Sequence, residues 1–326
     1  MSDVRSDLAV SAVSISLPGS VRLRVREIDA EEQPHVHIAS ADEAVSAVEV
    51  DGVLRVRSEQ ARGCGGDYVL DVAVREPIDL KVAAVRVEVE SDVELGRVDL
   101  AGAKVAARLG VVDRLKSAAK AGRVEVAEIA GKRAFFASAS AEVSVGRSAA
   151  RVESRTGFGA LRIGRLDGPL SARSATGTVE VGSANGDVDV RSGAGAVRIG
   201  VREQLPTWLD LYTGTGSVDV RTPPSDPPAD GDRYVTVRVA TGTGNILIHR
   251  ADDPAPPAPD PTGSSDDGDA ADGLGGDAAG GARDPADGLR GDAAGDAAGG
   301  ARDPADDRPT DTYTRIDEGA DDEHDS

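Results

Sequence analysis

Residues 159–200 read GALRIGRLDGPLSARSATGTVEVGSANGDVDVRSGAGAVRIG, and this stretch decides the fold. Apolar residues return every nine positions, often as a pair separated by one residue. Each pair predicts a short strand with two inward side chains, and the glycine two positions earlier predicts a turn that tolerates positive φ. The apolar series is Val143 and Val145, Val152, Leu161 and Ile163, Leu170, Val179 and Val181, Val188 and Val190, and Val197 and Ile199, and the glycines are Gly159, Gly168, Gly177, Gly186 and Gly195.

A nine-residue strand unit fits two architectures, an antiparallel meander or a coil. Meander hairpins favour two-residue Asn-Gly or Asp-Gly loops between long alternating strands. Only Asn185-Gly186 and Asp167-Gly168 match, both at the regular glycine position. Short, equal strands with small corner residues favour a coil of two strands and about 18 residues per turn, in which neighbouring coils must stack to bury their apolar face.

The pattern continues on both sides of this stretch. Downstream it returns at Leu209 and Leu211, Val218 and Val220, Val237 and Val239, and Ile246 and Ile248. From Val85 to Phe136 it is looser; residues 113–121 would also fit one or two helical turns, but we interpret them as a weak coil. Residues 1–84 alternate between turn signals such as Pro18-Gly19 and Asp51-Gly52. We therefore predict an all-β protein with an N-terminal β region at 1–84 that caps a solenoid at 85–250, because an uncapped end would expose strand edges.

The remaining residues, 251–326, have a different composition. Apolar residues larger than alanine almost vanish, and 22 acidic residues face 5 arginines, so this tail carries −17 of the chain's −20 charge. Such a segment cannot bury a core, so we predict a disordered acidic tail. It repeats GDAAGGARDPAD at 276–287 and 295–306, which is low-complexity sequence.

Composition also excludes classes of function and suggests a location. Residues 1–250 carry only −3, and neither part has the basic face that nucleic acid requires. The single cysteine, Cys64, rules out an internal disulfide and fits a reducing compartment. Neither a basic start followed by an apolar run nor an apolar stretch of about 18 residues is present. We expect a cytoplasmic protein without a transmembrane segment.

Several residues could carry chemistry, but each has a simpler structural interpretation. His35 and His37 would share one strand face, yet no further ligands stand at metal-binding spacing. The Asn185-Gly186-Asp187 turn resembles a calcium-binding β-roll turn, but its carboxylate does not recur in the other units. Cys64 lies in a Gly-rich loop with no histidine nearby in sequence, which favours a free thiol over a nucleophile.

Three other features also have structural interpretations or carry only a weak functional signal. Trp208 follows a small insertion, and we expect it to fill the space that the insertion opens rather than to face a ligand. The Gly-x-Gly strings do not lead into a helix, so they do not predict a phosphate site. The segment 312–316, TYTRI, is a possible short docking motif within the tail.

Outward acidic positions are mixed with arginines. This arrangement favours surface ion pairs over the aligned carboxylates of a polysaccharide-cleaving solenoid enzyme. We therefore predict no catalytic, cofactor-binding or metal-binding residues. The acidic residues are Glu153, Glu180, Asp189 and Asp219, and the arginines are Arg155, Arg173, Arg191 and Arg221.

The chain resembles the bacterial putative-adhesin family with β-strand repeats, domain of unknown function 4097. The resemblance rests on the run 160–201, on the break EQLPTWLDLYTGTGSVDVR at 203–221 and on the closing VTVRVATGTGNILIHRA at 235–251. It implies a right-handed parallel β-helix-like fold and no established catalytic activity.

The expected function is a non-catalytic structural or interaction module, adhesin-like, with an unknown protein or surface partner. It would bind by contact along its side-chain ladder or by strand addition at an end. The alternative is a polymer-forming scaffold whose solenoids stack end to end, and a carbohydrate-active β-helix enzyme is a weaker third.

Overall fold

A computed structural model describes residues 4–7, 10–28, 33–40, 45–58, 66–202, 205–223 and 233–251. These residues form an all-β structure with seventeen strands and no helix, so none of them belongs to a helix able to cross a bilayer. The predicted disordered tail beyond residue 251 and Cys64 lie outside the described residues. The strands are β1 (Val4–Asp7), β2 (Ala12–Ser16), β3 (Gly19–Glu27), β4 (His35–Ser40), β5 (Val45–Val50), β6 (Val53–Ser58), β7 (Gly66–Val74), β8 (Ile78–Ser91), β9 (Leu95–Ser148), β10 (Arg151–Leu166), β11 (Leu170–Ala184), β12 (Val188–Ala194), β13 (Val197–Val201), β14 (Thr207–Thr215), β15 (Val218–Val220), β16 (Val235–Thr243) and β17 (Ile246–Arg250).

Parallel pairing at an 18-residue interval organises the middle of the chain. Val143 pairs with Leu161, Leu161 with Val179, and Val179 with Val197. We call each such 18-residue turn of the chain a coil. Strand β9 has 54 residues, three times this interval, because the extended backbone continues through the corners. This register excludes the antiparallel meander for the repeat region, and residues 113–121 are strand throughout.

Both nine-residue halves of a coil bury their apolar side chains in one continuous core. Val179 and Val181 from one half are 2% and 0% exposed, and Val188 and Val190 from the other half are each 1% exposed. Burying one such side chain contributes about 1.5–3 kcal/mol. The core is built mainly from valine, leucine and isoleucine.

Glycine has two different roles at the corners. Gly159, Gly177 and Gly195 adopt positive φ, as the turn prediction requires. Gly168 and Gly186, at the opposite corner, do not, so the prediction of positive φ is wrong there. Backbone proximity explains these two, since a Cβ on Gly186 would lie 2.2 Å from the carbonyl oxygen of Gly168.

At the N-terminal end of the stack, chain order and spatial order differ. Strands β2 and β3 lie between β8 on one side and β6 and β7 on the other, all in parallel. Strands β5 and β4 then pair antiparallel with the outer edges of β6 and β7, and β1 pairs antiparallel with β4. The antiparallel strands cover this end, where Leu54, Val56 and Leu70 are at most 1% exposed.

The C-terminal end shows a similar insertion. Strands β16 and β17 pair in parallel with β12 and β13 on one side and with β14 and β15 on the other. The last coil in the sequence is therefore the second to last in space. Within the described ranges, β14 and β15 have strand partners on one edge only, which makes residues 207–220 the terminal coil.

Candidate functional site

The outer surface carries ion pairs that join successive coils. Strand alternation sends Glu142 and Glu153 away from the core beside arginines of neighbouring coils, and Asp167 lies directly after the end of β10. Arg123 Nη2 donates to Glu142 Oε2 at 2.7 Å, and Arg133 Nη2 donates to Glu153 Oε2 at 2.7 Å. Glu142 also accepts a hydrogen bond from Arg162. Each of these arginines is separated by 19 or 20 residues from its carboxylate, about one coil.

These contacts favour the ionised form of all three carboxyls. The hydrogen bond from Arg162 is the main cause of the lowered pKa of Glu142, and the hydrogen bond from Arg133 lowers the pKa of Glu153. Burial raises the pKa of Asp167, but hydrogen bonds from Asn185, Arg165 and Arg147 outweigh it and leave that pKa lowered. Asn185 Nδ2 donates to Asp167 Oδ1 at 2.6 Å and Arg147 Nε donates to Oδ2 at 3.0 Å.

Replacing Asp167 with asparagine is expected to flatten the acid limb of the stability curve. Because the folded-state pKa is lowered, the contribution of Asp167 is present above the ordinary carboxyl pKa of about 4 and is lost as pH falls through the folded value. Asp167→Asn should cost about 1 kcal/mol at pH 7 and less near pH 2. Urea unfolding at a series of pH values measures this difference, and two parallel curves would contradict it.

The outward pairs expected from the sequence are formed, with one change of partner. Asp219 accepts from Arg221 Nε at 2.8 Å, and the pairs Asp189–Arg191 and Glu153–Arg155 lie at 3.7 and 3.8 Å. Glu180 lies 3.8 Å from Arg162 on the preceding coil. These pairs are exposed to solvent, so each adds at most about 1 kcal/mol to stability.

Three of these arginines form a column across adjacent coils. Arg155 pairs in register with Arg173, and Arg173 with Arg191. Neighbouring strands are about 4.8 Å apart, so the column presents three guanidinium groups at that spacing. Position 171 is a serine where the adjacent coils have Glu153 and Asp189, and Arg173 has no carboxylate partner within the part of the chain described here. We call Arg155, Arg173 and Arg191 the arginine column.

The other candidate residues have structural contacts. His35 is half-buried, with its Nδ1 3.0 Å from the Gln33 carbonyl oxygen and its Nε2 3.4 Å from Arg26. Asp187 Oδ1 accepts from the Thr236 backbone N–H at 2.9 Å, so it holds the inserted coil. Across the described ranges, no three His, Cys, Asp or Glu side chains are grouped as a metal site would need. The docking segment 312–316 lies outside the described residues.

The prediction that Trp208 fills the space opened by the insertion is wrong. Its side chain is 64% exposed, so it does not fill a space in the core. It alternates along β14 with half-buried Leu209 and Leu211, which places it on the outer face together with Tyr212, 65% exposed. The reason is positional: with a coil on one side only, β14 has no further layer of strand beside its aromatic side chains.

The terminal coil also leaves the end of the core open. Val218 and Val220 occupy the same register columns as Ile246 and Ile248, which are 0% exposed, but are themselves 43% exposed. The nine-residue pattern is identical in both coils, so the pattern alone does not distinguish them. The one sequence signal is the connection from 221 to 234, which is long enough to pass over a coil.

Comparisons with known proteins give distant structural neighbours only. No protein-family model and no curated protein matches the chain. A putative adhesin from Parabacteroides merdae is 12% identical, with a TM-score of 0.47, over 76% of this chain and 96% of that one. A putative adhesin from Bacteroides fragilis is 11% identical (TM-score 0.35; 76% and 95% covered), and a putative lipid binding protein from Parabacteroides distasonis is 10% identical (0.27; 75% and 96%). Such low values do not establish a shared activity.

Proposed function

We propose that this chain is a non-catalytic, adhesin-like interaction module in which a stack of coils displays charged side chains to a protein partner. The observation that carries the proposal is the state of the outward carboxylates. Glu142, Glu153 and Asp167 are each held by arginine and each has a lowered pKa. A surface of fixed, mutually neutralised charges is suited to contact rather than to proton transfer.

Polysaccharide-cleaving enzymes need the opposite arrangement. One carboxyl must have a raised pKa to act as general acid, and a second must stand about 5–9.5 Å from it across the scissile bond. Among the described residues, the three carboxyls with a shifted pKa are all shifted downward, away from what a general acid requires. Incubating the protein with plant and bacterial polysaccharides should release no new reducing ends or unsaturated products, and turnover on any of them would overturn this part of the proposal.

The arginine column is the surface feature best suited to a partner. Its members are exposed on a backbone that is fixed in the sheet, so binding costs side-chain entropy but little backbone entropy. Arg155 is further fixed over the ring of Phe135, at 5.9 Å from the centroid. Guanidinium groups bind carboxylates in bidentate geometry, so the column fits an acidic protein surface.

Binding to immobilised polyglutamate tests the column. Changing Arg155, Arg173 and Arg191 to serine should weaken binding at least about tenfold, since three charge-assisted contacts are lost. The matched control changes Arg108, Arg123 and Arg133 to serine, which removes the same charge from arginines held at 2.7–3.3 Å from their carboxylates, closer than the 3.7 and 3.8 Å of the ion pairs in the column. Equal loss in both variants would show that net charge, rather than the column, is responsible.

The handedness of the coil, the family and the domain boundaries complete the proposal. We infer a right-handed coil and membership of the putative-adhesin family with β-strand repeats; parallel strands joined by a crossover are right-handed in nearly all known sheets, which supports the handedness. The division into a cap at 1–84, a stack at 85–250 and a tail at 251–326 predicts a protease-resistant fragment that ends near residue 250. A cytoplasmic location is the remaining expectation, and cell fractionation tests it.

The scaffold alternative receives less support. End-to-end polymerisation needs two complementary open ends, whereas β4 and β5 cover the N-terminal end. Heterologous contacts that do not close produce filaments. Pelleting of the purified protein at high concentration would favour the scaffold over the interaction module.

A further inference from the structure

The C-terminal end of the stack has the properties of an unfilled interface. Strands β14 and β15 each pair on one edge only within the described residues. Val218 and Val220, which point along core columns, are each 43% exposed. Unpaired strand edges with apolar side chains are sites for pairing with another chain, and proteins usually protect them with charges, prolines or covering segments.

The opposite end supplies the internal comparison. There the inward residues of the outer strands are covered: Val36 and Ile38 on β4 are 2% and 1% exposed, and Val45 is 9% exposed although β5 pairs on one edge only within the described ranges. The inward apolar side chains of the outermost strands are therefore covered at the N-terminal end and partly exposed at the C-terminal end, although Val48 and Val50 on the outer face of β5 are also exposed. A difference of this kind within one fold points to something that covers the C-terminal end in solution.

We propose that the occupant is the C-terminal end of a second copy, so that the protein forms a two-fold symmetric, end-to-end dimer. Among the described residues, the N-terminal end has no inward apolar side chain as exposed as Val218, which disfavours a head-to-tail contact between these two ends. An isologous contact uses the same patch on both subunits and closes after two copies. A two-fold axis perpendicular to the stack brings β14 and β15 against the terminal strands of the partner in antiparallel pairing, which extends both ladders.

The charged side chains at the C-terminal end are compatible with this contact. The terminal coil carries two charged side chains, Asp210 and Asp219, and Arg221 follows it directly. Asp219 and Arg221 neutralise each other at 2.8 Å, which leaves one negative charge for each end. Trp208 and Tyr212, both about two-thirds exposed, flank the seam on the outer face of β14. Aromatic residues are enriched at interfaces and supply much of their binding energy.

The area of the C-terminal end determines how strong a dimer we expect. A nine-residue strand is about 30 Å long, and two sheets about 10 Å apart with their outer side chains span about 20 Å, so the end offers about 600 Å² per copy. The total of about 1,200 Å² is at the lower limit for a specific interface. We therefore expect a dimer with a dissociation constant in the micromolar range, about 1–100 µM.

Sedimentation velocity of the full chain from about 1 to 300 µM tests the dimer, since that range spans the expected dissociation constant. We expect a monomer at the lowest concentration and a dimer at the highest. Val218→Lys, which puts a charge on the open core, should weaken the dimer at least about tenfold. Val85→Lys is the matched control, because Val85 is also an exposed valine, 61% exposed, but lies on β8; it should leave dimerisation unchanged. Val218→Lys leaves the arginine column unchanged, so this variant should still bind polyglutamate. Loss of the dimer with normal polyglutamate binding would separate this inference from the proposed function.

Distances between spin labels identify the surface used. In a Cys64→Ser background, nitroxides at Ser217→Cys on the terminal coil should lie within about 30 Å of each other across the dimer, whereas labels at Val85→Cys, several coils away, should be more than about 60 Å apart. Any of four results would overturn the inference. These are a monomer at 300 µM, a Val218→Lys variant that dimerises normally, a species larger than a dimer, and a short distance between the labels at position 85.

Discussion

Replacing Gly195 with alanine is expected to destabilise the protein by about 3–5 kcal/mol, more than most single substitutions. Gly195 has φ of 135°, a conformation that side chains with a Cβ rarely adopt. A Cβ there would also lie 1.9 Å from the carbonyl oxygen of Gly177 on the preceding coil. That oxygen belongs to backbone held in the stack, so neither coil can move without breaking ladder hydrogen bonds. Urea unfolding followed by circular dichroism measures the loss.

Gly110→Ala provides the control for this substitution. Gly110 does not have left-handed φ, and a Cβ there would lie 3.2 Å from the carbonyl oxygen of Asp92, a contact that a shift of a few tenths of an ångström relieves. We expect a change of less than about 1 kcal/mol. If Gly195→Ala were as mild as Gly110→Ala, the corner would have to relax far more than a stacked backbone allows.

The sequence predicted the coil because its causes are local. Two apolar residues at alternate positions define a strand, and a glycine before them defines a corner, so the interval of nine residues can be read directly. The pairing of Leu161 with Val179 and of Val179 with Val197 is the result in space. The ion pair of Asp219 with Arg221 was also predictable, since residues two apart on a strand share a face.

The stacking order of the coils could not be predicted from the sequence, because the contacts that decide it do not alter the nine-residue pattern. The coils at 207–220 and 235–250 have the same pattern, and either would fit on Val188 and Val197. The structure places the later coil there and leaves the earlier one at the end. The misinterpretation of Trp208 follows from this: a tryptophan beside an insertion packs inward when coils lie on both sides, and here β14 has a coil on one side only.

The two insertions have a common consequence for stability. Strands β2 and β3 at one end and β16 and β17 at the other are each held between two layers of strand, although they are first and last among the coils in the sequence. A terminal strand normally frays because only one neighbour holds it. Here the outermost coil must be removed before the coil nearest a chain terminus can separate, so fraying should begin at 207–220 rather than at 235–250.

Lysine at position 197 is expected to prevent folding, whereas lysine at position 218 should be tolerated. Val197, Ile246 and Val218 occupy one register column on three adjacent coils. Val197 is 0% exposed between its neighbours, so an ammonium group there would be buried without a partner at a cost of more than about 4 kcal/mol. Val218 is 43% exposed, and its lysine can extend into solvent at a cost of less than about 1 kcal/mol.

Soluble yield, circular dichroism and thermal unfolding measure this difference, the last two at a concentration below the dissociation constant of the proposed dimer. Val197→Lys should lose the β spectrum or unfold at a much lower temperature, while Val218→Lys should match the wild-type protein. Equal damage from both substitutions would mean that the coil at 207–220 is covered on both sides, contrary to its position at the end of the stack. Because the two lysines differ only in their place along one column, the comparison isolates stacking order, the property that the repeat pattern leaves undetermined.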